Sequence, residues 1–263
     1  MPKPKAGVVY TCITNGYDNL IQHTYTNQDW DYVCFTDNTK LLQRNRVGIW
    51  QIRPLAFSAS DHTKNARWHK THPHVLFPEY QASLWIDSNG DILTPHIFDL
   101  ATHKNQSLMI PYHFSRDCIF DEANAVVKYH KDSPENVNNV VYYLESNQMP
   151  RNYGLNETNI IFRRHHDPKI IHLMDSWWHH IENYSKRDQL SLSYVLWRAG
   201  IAVADISFPN ARTDIQNFAF ITHTSDVRRQ RWKLFVKIRD SNGRRRIYCC
   251  GIRIFTYHRK CAF

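Results

Sequence analysis

Short apolar runs rich in β-branched residues alternate with polar stretches through the first third of the chain. Gly7 to Thr14 (GVVYTCIT) is broken by Asn15-Gly16, Asp31 to Thr36 (DYVCFT) ends on Asp37-Asn38, and Val47 to Ile52 makes a third run. A helical pattern over His62 to Lys70 leads into a fourth run, Ala82 to Ile86 (ASLWI). Buried-type runs of about 4–8 residues alternating with helical patterns predict an α/β fold with a mixed, mostly parallel sheet flanked by helices. The middle is more helical, over Arg116 to Lys131 and Pro134 to Gln148. A strand at Thr158 to Phe162 precedes a helix from Pro168 to Tyr184, whose apolar stripe runs through Ile171, Met174, Trp177, Trp178 and Ile181. A further helix, Arg187 to Arg198, closes on Gly200 in C-cap position. Residues 201 to 226 read as irregular, with a strand-like Phe218 to Ile221.

Ligands of such sheets sit beyond the carboxyl ends of the strands. Three polar clusters fall there: Thr14 to Asp18, Thr36 to Asn38 and Asp87 to Asp91. Their convergence is a site pattern.

Charge divides the chain in two. Of the net +9, the last 37 residues carry twelve Lys or Arg and one acid, a net +11, while residues 1 to 226 carry −2. The division expected is therefore a body over 1–226 and a basic, aromatic tail over 227–263. In the tail, Trp232, Leu234, Val236 and Ile238 alternate with cations, and Asp240 to Gly243 supplies turn chemistry, which predicts a β-hairpin. With 42% hydrophobic residues the chain can fill a sizeable core. No apolar run reaches the roughly 18 residues of a spanning helix, and the start has no signal-peptide pattern. The expectation is a soluble, cytoplasmic chain whose six scattered cysteines are reduced.

Leu84-Trp85-Ile86-Asp87-Ser88-Asn89 carries the sharpest chemistry. A strand that delivers a carboxylate, with a second oxygen ligand two residues on, can hold a hard divalent cation, and that cation can bridge the phosphates of a nucleotide diphosphate. The same residues can instead close the strand with an Asx turn.

The runs VVYTCITNGYDNL, DYVCFTDN and KNARWHKTHPHVLFPEYQASLWIDSN resemble the GT-A type glycosyltransferases, as do HFSRDCIFDEA, GLNETNIIFRRHHD and SKRDQLSLSYVLW in the same order. They are most similar to the bacterial and plant glycosyltransferase-like domain family long known only as a domain of unknown function. The resemblance, from about Gly7 to Ala199, implies a GT-A-like (Rossmann-like) fold and a nucleotide-sugar donor. It places Thr11, Ile13 and Tyr17 at the base and ribose, with Asp37 nearby. It makes Asp87, Asn89 and the late histidine His223 the ligands of Mn²⁺ or Mg²⁺, with Asp91 able to assist where Asn89 replaces the usual second Asp. It sets Lys64 and Arg67 against the diphosphate, and Arg116, Asp117 and Glu122 at an acceptor hydroxyl or the donor sugar. Asp188 and Gln189 match a late acidic motif, so that Asp188, Glu122 or Asp117 would supply a catalytic carboxylate. Asn156, Glu157 and Asn159 border the same pocket.

The tail resembles C-terminal extensions of bacterial lipopolysaccharide and capsule glycosyltransferases through Tyr248-Cys249-Cys250-Gly251-Ile252-Arg253-Ile254-Phe255. This implies a lipopolysaccharide or capsular acceptor, a UDP-sugar donor, and peripheral attachment to the anionic inner face of the cell membrane. The competing reading makes the basic tail an arm for nucleic acid or another anionic surface, beside a catalytically inactive body. The six matched runs of the body favour the transferase, for which no nucleic-acid partner is expected.

Overall fold

The computed structural model describes residues 5–104, 106–226, 235–239, 244–249 and 252–258. A central eight-stranded sheet has the order β3-β4-β2-β1-β5-β8-β7-β9. Its strands are β1 (Gly7–Ile13), β2 (Trp30–Thr36), β3 (Arg46–Val47), β4 (Trp50–Pro54), β5 (Ser83–Ile86), β7 (Leu108–Pro111), β8 (Ile160–Arg163) and β9 (Ser207–Phe208). β1 pairs parallel with β2 and β5, β2 with β4, and β7 with β9; β3 and β8 run against their neighbours. The mixed, mostly parallel sheet flanked by helices is thus the one expected. All seven residues of β1 are buried, as a central strand covered on both faces requires.

One expected strand is two. The run Val47 to Ile52 straddles a reversal at Gly48, whose φ of +58° places it in the left-handed region. Additional short elements follow the metal-like loop: β6 (Gly90–Ile92), the helix α4 (His96–His103) and β7. β6 pairs antiparallel with β10 (Phe218–Phe220), which brings the late segment back beside Asp87 to Asp91.

The remaining helices are α1 (Thr39–Leu42), α2 (His62–Thr71), α3 (Pro73–Leu76), α5 (Ile119–Lys128), α6 (Pro134–Ser146), α7 (Pro168–Asn183), α8 (Gln189–Arg198) and α9 (Val203–Ile206). Their starts follow local chemistry. Asp61 caps α2 by accepting from the amides of Thr63 and Lys64, Ser133 caps α6, and Asp167 caps α7 ahead of Pro168. α7 buries Ile170, Leu173, Met174, Trp177, Trp178 and Ile181, so Ile170 rather than Ile171 begins the apolar stripe. Gly200, at φ +68°, ends α8 as expected.

Apolar packing fills both faces of the sheet. One side gathers Tyr10, Phe77, Trp85 and Trp177 with residues of α5 to α8, and the other gathers Trp30, Trp50, Phe98 and Phe162. Cys12, Cys34 and Cys118 are buried and free. In the tail, β11 (Phe235–Arg239), β12 (Arg244–Cys249) and β13 (Ile252–His258) form an antiparallel sheet of three strands. The second half of the expected hairpin is itself a hairpin. Trp232, Leu234 and Asp240 to Gly243 lie outside the described residues.

Candidate active site

The site is built where the strands β1, β2 and β5 end. After β1 the chain turns through Asn15 and Gly16, both left-handed (φ 51° and 58°). The Asp37 carboxylate, delivered by the end of β2, accepts the Asn15 amide at 2.8 and 3.0 Å and locks that turn. Asp37 therefore organises the loop that presents Tyr17, which is 44% exposed.

Asp18, next in the chain, is the hub of this corner. Its carboxylate accepts from Ser88 Oγ at 2.6 Å, His223 Nδ1 at 2.8 Å and the Thr224 amide at 2.9 Å. Burial opposes its charge, but the bonds from His223, Ser88 and Thr224 outweigh that and hold its pKa below the usual carboxylate value. The segment after β10 thus lies across the Asp87-Ser88-Asn89 loop. The Ile221 amide donates to the Asn89 carbonyl at 2.9 Å, the Asn89 Nδ2 donates to the Ile221 carbonyl at 2.8 Å, and the His223 ring lies 4.8 Å from that of Tyr17.

A second cluster sits beside Asp87. The Lys70 ammonium is completely buried and donates to Asp188 Oδ2 at 2.9 Å and to the Thr158 carbonyl at 2.8 Å, with Asp87 Oδ1 at 3.2 Å. Arg67, one turn earlier on α2, places Nη1 3.2 Å from Asp188 Oδ2, and the Thr158 hydroxyl donates to the same oxygen at 2.8 Å. Burial works against ionised Asp188; Arg67, Lys70 and Arg187 overcome it and hold the carboxyl far below its ordinary range. Lys70 is pushed down by burial and by Arg67, and Asp188 and Asp87 oppose that. Asp188 stands in the cap position of α8 yet bonds to none of its amides; its charge is spent on Lys70 and Arg67. Its carboxylate is thus held between two cations and the Thr158 hydroxyl.

Around this cluster, Asn89 Oδ1, both side-chain atoms of Asn159, Arg67 Nε and Arg187 Nε are buried without a hydrogen-bond partner. Buried polar atoms ordinarily find partners, so these mark polar side chains near the cluster whose hydrogen-bonding capacity the protein itself leaves unused. Asn159 belongs here because its carbonyl accepts the Asp87 amide at 2.8 Å. Gln189 accepts from Arg187 at 3.3 Å.

Glu122 forms the third group. Arg116 Nε donates to its Oε2 at 2.6 Å. Burial raises the Glu122 pKa above the usual value and Arg116 only partly offsets this, while Arg187 and Asp188 also act on it.

Several expected residues stand elsewhere. Ile13 is buried in the apolar core, where its side chain serves packing, and Thr11 is buried within β1 with its hydroxyl unpartnered. Lys64 donates to the Glu182 carbonyl at 2.6 Å, away from Asp188. At 100° per residue it lies about 120° round α2 from Lys70. Asp117 is exposed and brings no side-chain contact. Asn156 donates to the Pro111 carbonyl and to Ser207 Oγ, and Glu157 pairs with Arg212 and Asn210, so both brace β7 and β9. Asp91 is committed to Thr24, through its amide at 2.7 Å and its hydroxyl at 2.8 Å. The structure adds Lys70, Thr158 and Arg187 to the residues gathered here, and within the expected Thr14 to Asp18 cluster it makes Asp18 the hub. Lys70 carried a signal, three residues after Arg67 on one helix, but it was hidden in the histidine-rich run HKTHPH.

Three side chains here have the chemistry of ligands for a divalent cation. Asn89 Nδ2 is fixed by Ile221, which leaves Oδ1 buried and unpartnered. Asp87 offers a carboxylate whose Oδ1 is shared with Lys70 and the Trp85 indole. His223, held through Nδ1 by Asp18, has the carboxylate–histidine arrangement common around metal ligands. Among the described residues no group of three or more His, Cys, Asp or Glu could hold a metal, so phosphate oxygens would have to complete the shell.

Comparison with known proteins follows the same line. A probable hexosyltransferase of Arabidopsis thaliana, MUCI70, is 26% identical over an alignment of 216 residues that covers 72% of this chain and 36% of the plant protein. The chain thus spans about a third of that relative's length. Similar solved structures include the bifunctional glycosyltransferase WbbM (TM-score 0.47, 12% identity, 79% of this chain and 39% of that one). Mouse xyloside xylosyltransferase 1 gives a TM-score of 0.42 at 11% identity over 78% of this chain and 84% of that one. Residues 3–216, nearly the whole body and every residue of the Lys70–Asp188 cluster, match one family: the chain belongs to the TOD1/MUCI70 glycosyltransferase-like domain family.

Proposed function

We propose that the chain transfers a sugar, a hexose, from a nucleotide-sugar donor to a glycan or glycolipid acceptor. The observation that carries this is the buried network of Arg67, Lys70, Asp87 and Asp188, ringed by the unpartnered polar atoms of Asn89, Asn159, Arg67 and Arg187. Fixed cations in a dry setting stabilise the charge that develops on a departing nucleotide diphosphate. The guanidinium groups of Arg67 and Arg187 suit the diphosphate oxygens, and the side-chain amides of Asn159 and Asn89 suit sugar hydroxyls and phosphate. Tyr17, on the turn locked by Asp37, lies beside His223 at the same end of the sheet and suits the flat face of the base.

Asp87, Asn89 and His223 would hold Mn²⁺ or Mg²⁺, which would neutralise the diphosphate as it leaves. Lys70 already brings one positive charge to Asp87, so we expect metal to assist rather than to be indispensable. Of the three carboxylates considered for proton transfer, Glu122 has the surroundings that suit the role; Asp188 serves to fix Lys70 and Arg67. UDP as the nucleotide, a lipopolysaccharide or capsular polysaccharide as the acceptor, and attachment of residues 227–263 to the inner face of the cell membrane rest on the resemblances of sequence. Cosedimentation with anionic vesicles, lost when the chain ends near Asp226, tests the last of these.

Thermal stability against a panel of nucleotide diphosphates and nucleotide sugars, with and without Mn²⁺, tests the donor site. A ligand at 100 times its dissociation constant adds about 2.7 kcal/mol. The expected result is a shift with one nucleotide that is lost in Arg67→Gln. The absence of a shift with every donor would overturn the proposal.

A further inference from the structure

A cleft of about 410 Å³ opens beside the site, between the start of α2, the end of α7 and the loop before α6. That volume lies within the range of about 300–1,000 Å³ typical of small-molecule sites. Its position is set by the same two segments that build the donor cluster. Asp61, the cap of α2, and Lys64 line the cleft while Arg67 and Lys70 reach Asp188; Tyr184 and Lys186 also line it, and Arg187 and Asp188 follow directly.

The lining has a distinct chemistry. One wall is aromatic, with Phe57 and Trp178 in edge-to-face contact at 5.4 Å. The rest of the lining includes acceptors that are already held in place. Asp61 caps α2 and pairs with Lys186 at 3.0 Å, and Asp132 accepts from Ser185 Oγ at 2.6 Å and from Asn136 Nδ2 at 3.0 Å. Glu182 and Asn183 complete the rim. Carboxylates, amides and ammonium groups beside an aromatic wall match a ligand with hydroxyls on its edge and C–H bonds on its faces. The charge balance narrows the class further: three acids against two lysines leave the lining at a net −1, which favours a neutral ligand over an anion. Fixed acceptors also reduce the ordering cost of binding.

We propose that this cleft binds a neutral oligosaccharide segment of the acceptor, apart from the hydroxyl that is glycosylated. The inference rests on the glycosyltransferase reading for what the bound glycan is used for, and on the cleft alone for the binding itself.

Binding of neutral trisaccharides (maltotriose, cellotriose, mannotriose and xylotriose) to the full chain, followed by saturation-transfer NMR and calorimetry, tests it. Glucose-1-phosphate serves as the anionic control, and the donor-induced melting shift is recorded in parallel. The variant is Glu182→Ala/Asn183→Ala, both exposed positions that leave the core intact. The expected result is saturable binding of at least one trisaccharide, exclusion of the anionic sugar, and at least a tenfold loss of affinity in the variant with an unchanged donor shift. Trisaccharide binding that the variant leaves untouched would place the glycan elsewhere and overturn the proposal, as would no trisaccharide binding at all. A donor shift that persists in either case would leave the donor-site proposal standing. Its absence beside variant-sensitive trisaccharide binding would overturn that proposal and leave the cleft.

Discussion

Replacing Lys70 by Met tests the central network directly, because Met keeps the length of the apolar stem and removes the ammonium group with its charge and its donors. The ammonium is fully buried and makes three contacts, to Asp188 at 2.9 Å, to the Thr158 carbonyl at 2.8 Å and to Asp87 at 3.2 Å. Removing one partner of a buried ion pair typically costs about 3–5 kcal/mol, because the other charge is left without compensation. Asp188 would still keep Arg67 at 3.2 Å and the Thr158 hydroxyl at 2.8 Å. The cost should therefore fall at the lower end, about 3 kcal/mol, or roughly 6–12 °C in melting temperature. Urea unfolding of Lys70→Met, Asp188→Asn and the double variant completes the cycle. The two changes share one interaction, so the double variant should be about 1–3 kcal/mol more stable than the sum of the single costs predicts. A Lys70→Met protein within about 1 kcal/mol of the parent, with additive effects in the double variant, would refute the claim that this pair holds the site.

Three further outcomes are expected. In Gly7→Ala the new methyl would stand 2.6 Å from the Trp30 ring and 2.8 Å from the Ala82 carbonyl oxygen, so β1 would be forced from its neighbours. A loss of about 1–3 kcal/mol in urea unfolding is expected, and a neutral result would contradict the packing described. Asn89→Asp adds a carboxylate at the loop and should tighten Mn²⁺ binding at least about tenfold in the presence of a nucleotide diphosphate, equivalent to about 1.4 kcal/mol; an unchanged affinity by calorimetry would remove Asn89 from the metal site. Burial depresses His69, His113 and His165 to about 4, and His69 accepts the Ala56 amide through Nε2, a bond only the neutral ring can make. With unfolded values near 6.5, the unfolded chain binds more protons between those limits. Stability should therefore be complete above about pH 6.5 and fall as pH drops toward 4, by up to about 1.4 kcal/mol per unit for each histidine. A stability flat between pH 7.5 and 5 would show that these rings are not buried as neutral groups.

The sequence by itself determined the α/β class, because central strands buried on both faces must be written as nearly continuous apolar runs, as β1 and β2 are. It also located the loops that carry chemistry, since strand ends in such sheets are marked by Asn, Asp and Gly. The capped start of α7 and the glycine end of α8 were legible for the same local reason. What it left open were facts of distance. Val47 to Ile52 reads as one strand because composition does not show the left-handed Gly48 that folds it in two. Lys64 and Lys70 are equally cationic in the sequence, and only the orientation of α2 sends one to the Glu182 carbonyl and buries the other against Asp188. Asp188 reads as a helix cap or a base until Lys70 and Arg67, more than 100 residues earlier, are seen on its carboxylate. Asp18 and His223 lie 205 residues apart and meet only because β10 returns beside β6. Local patterns record backbone preference and burial, whereas the role of an ionisable group depends on which charges the completed fold sets within a few ångströms of it, and that was decided by the tertiary structure alone.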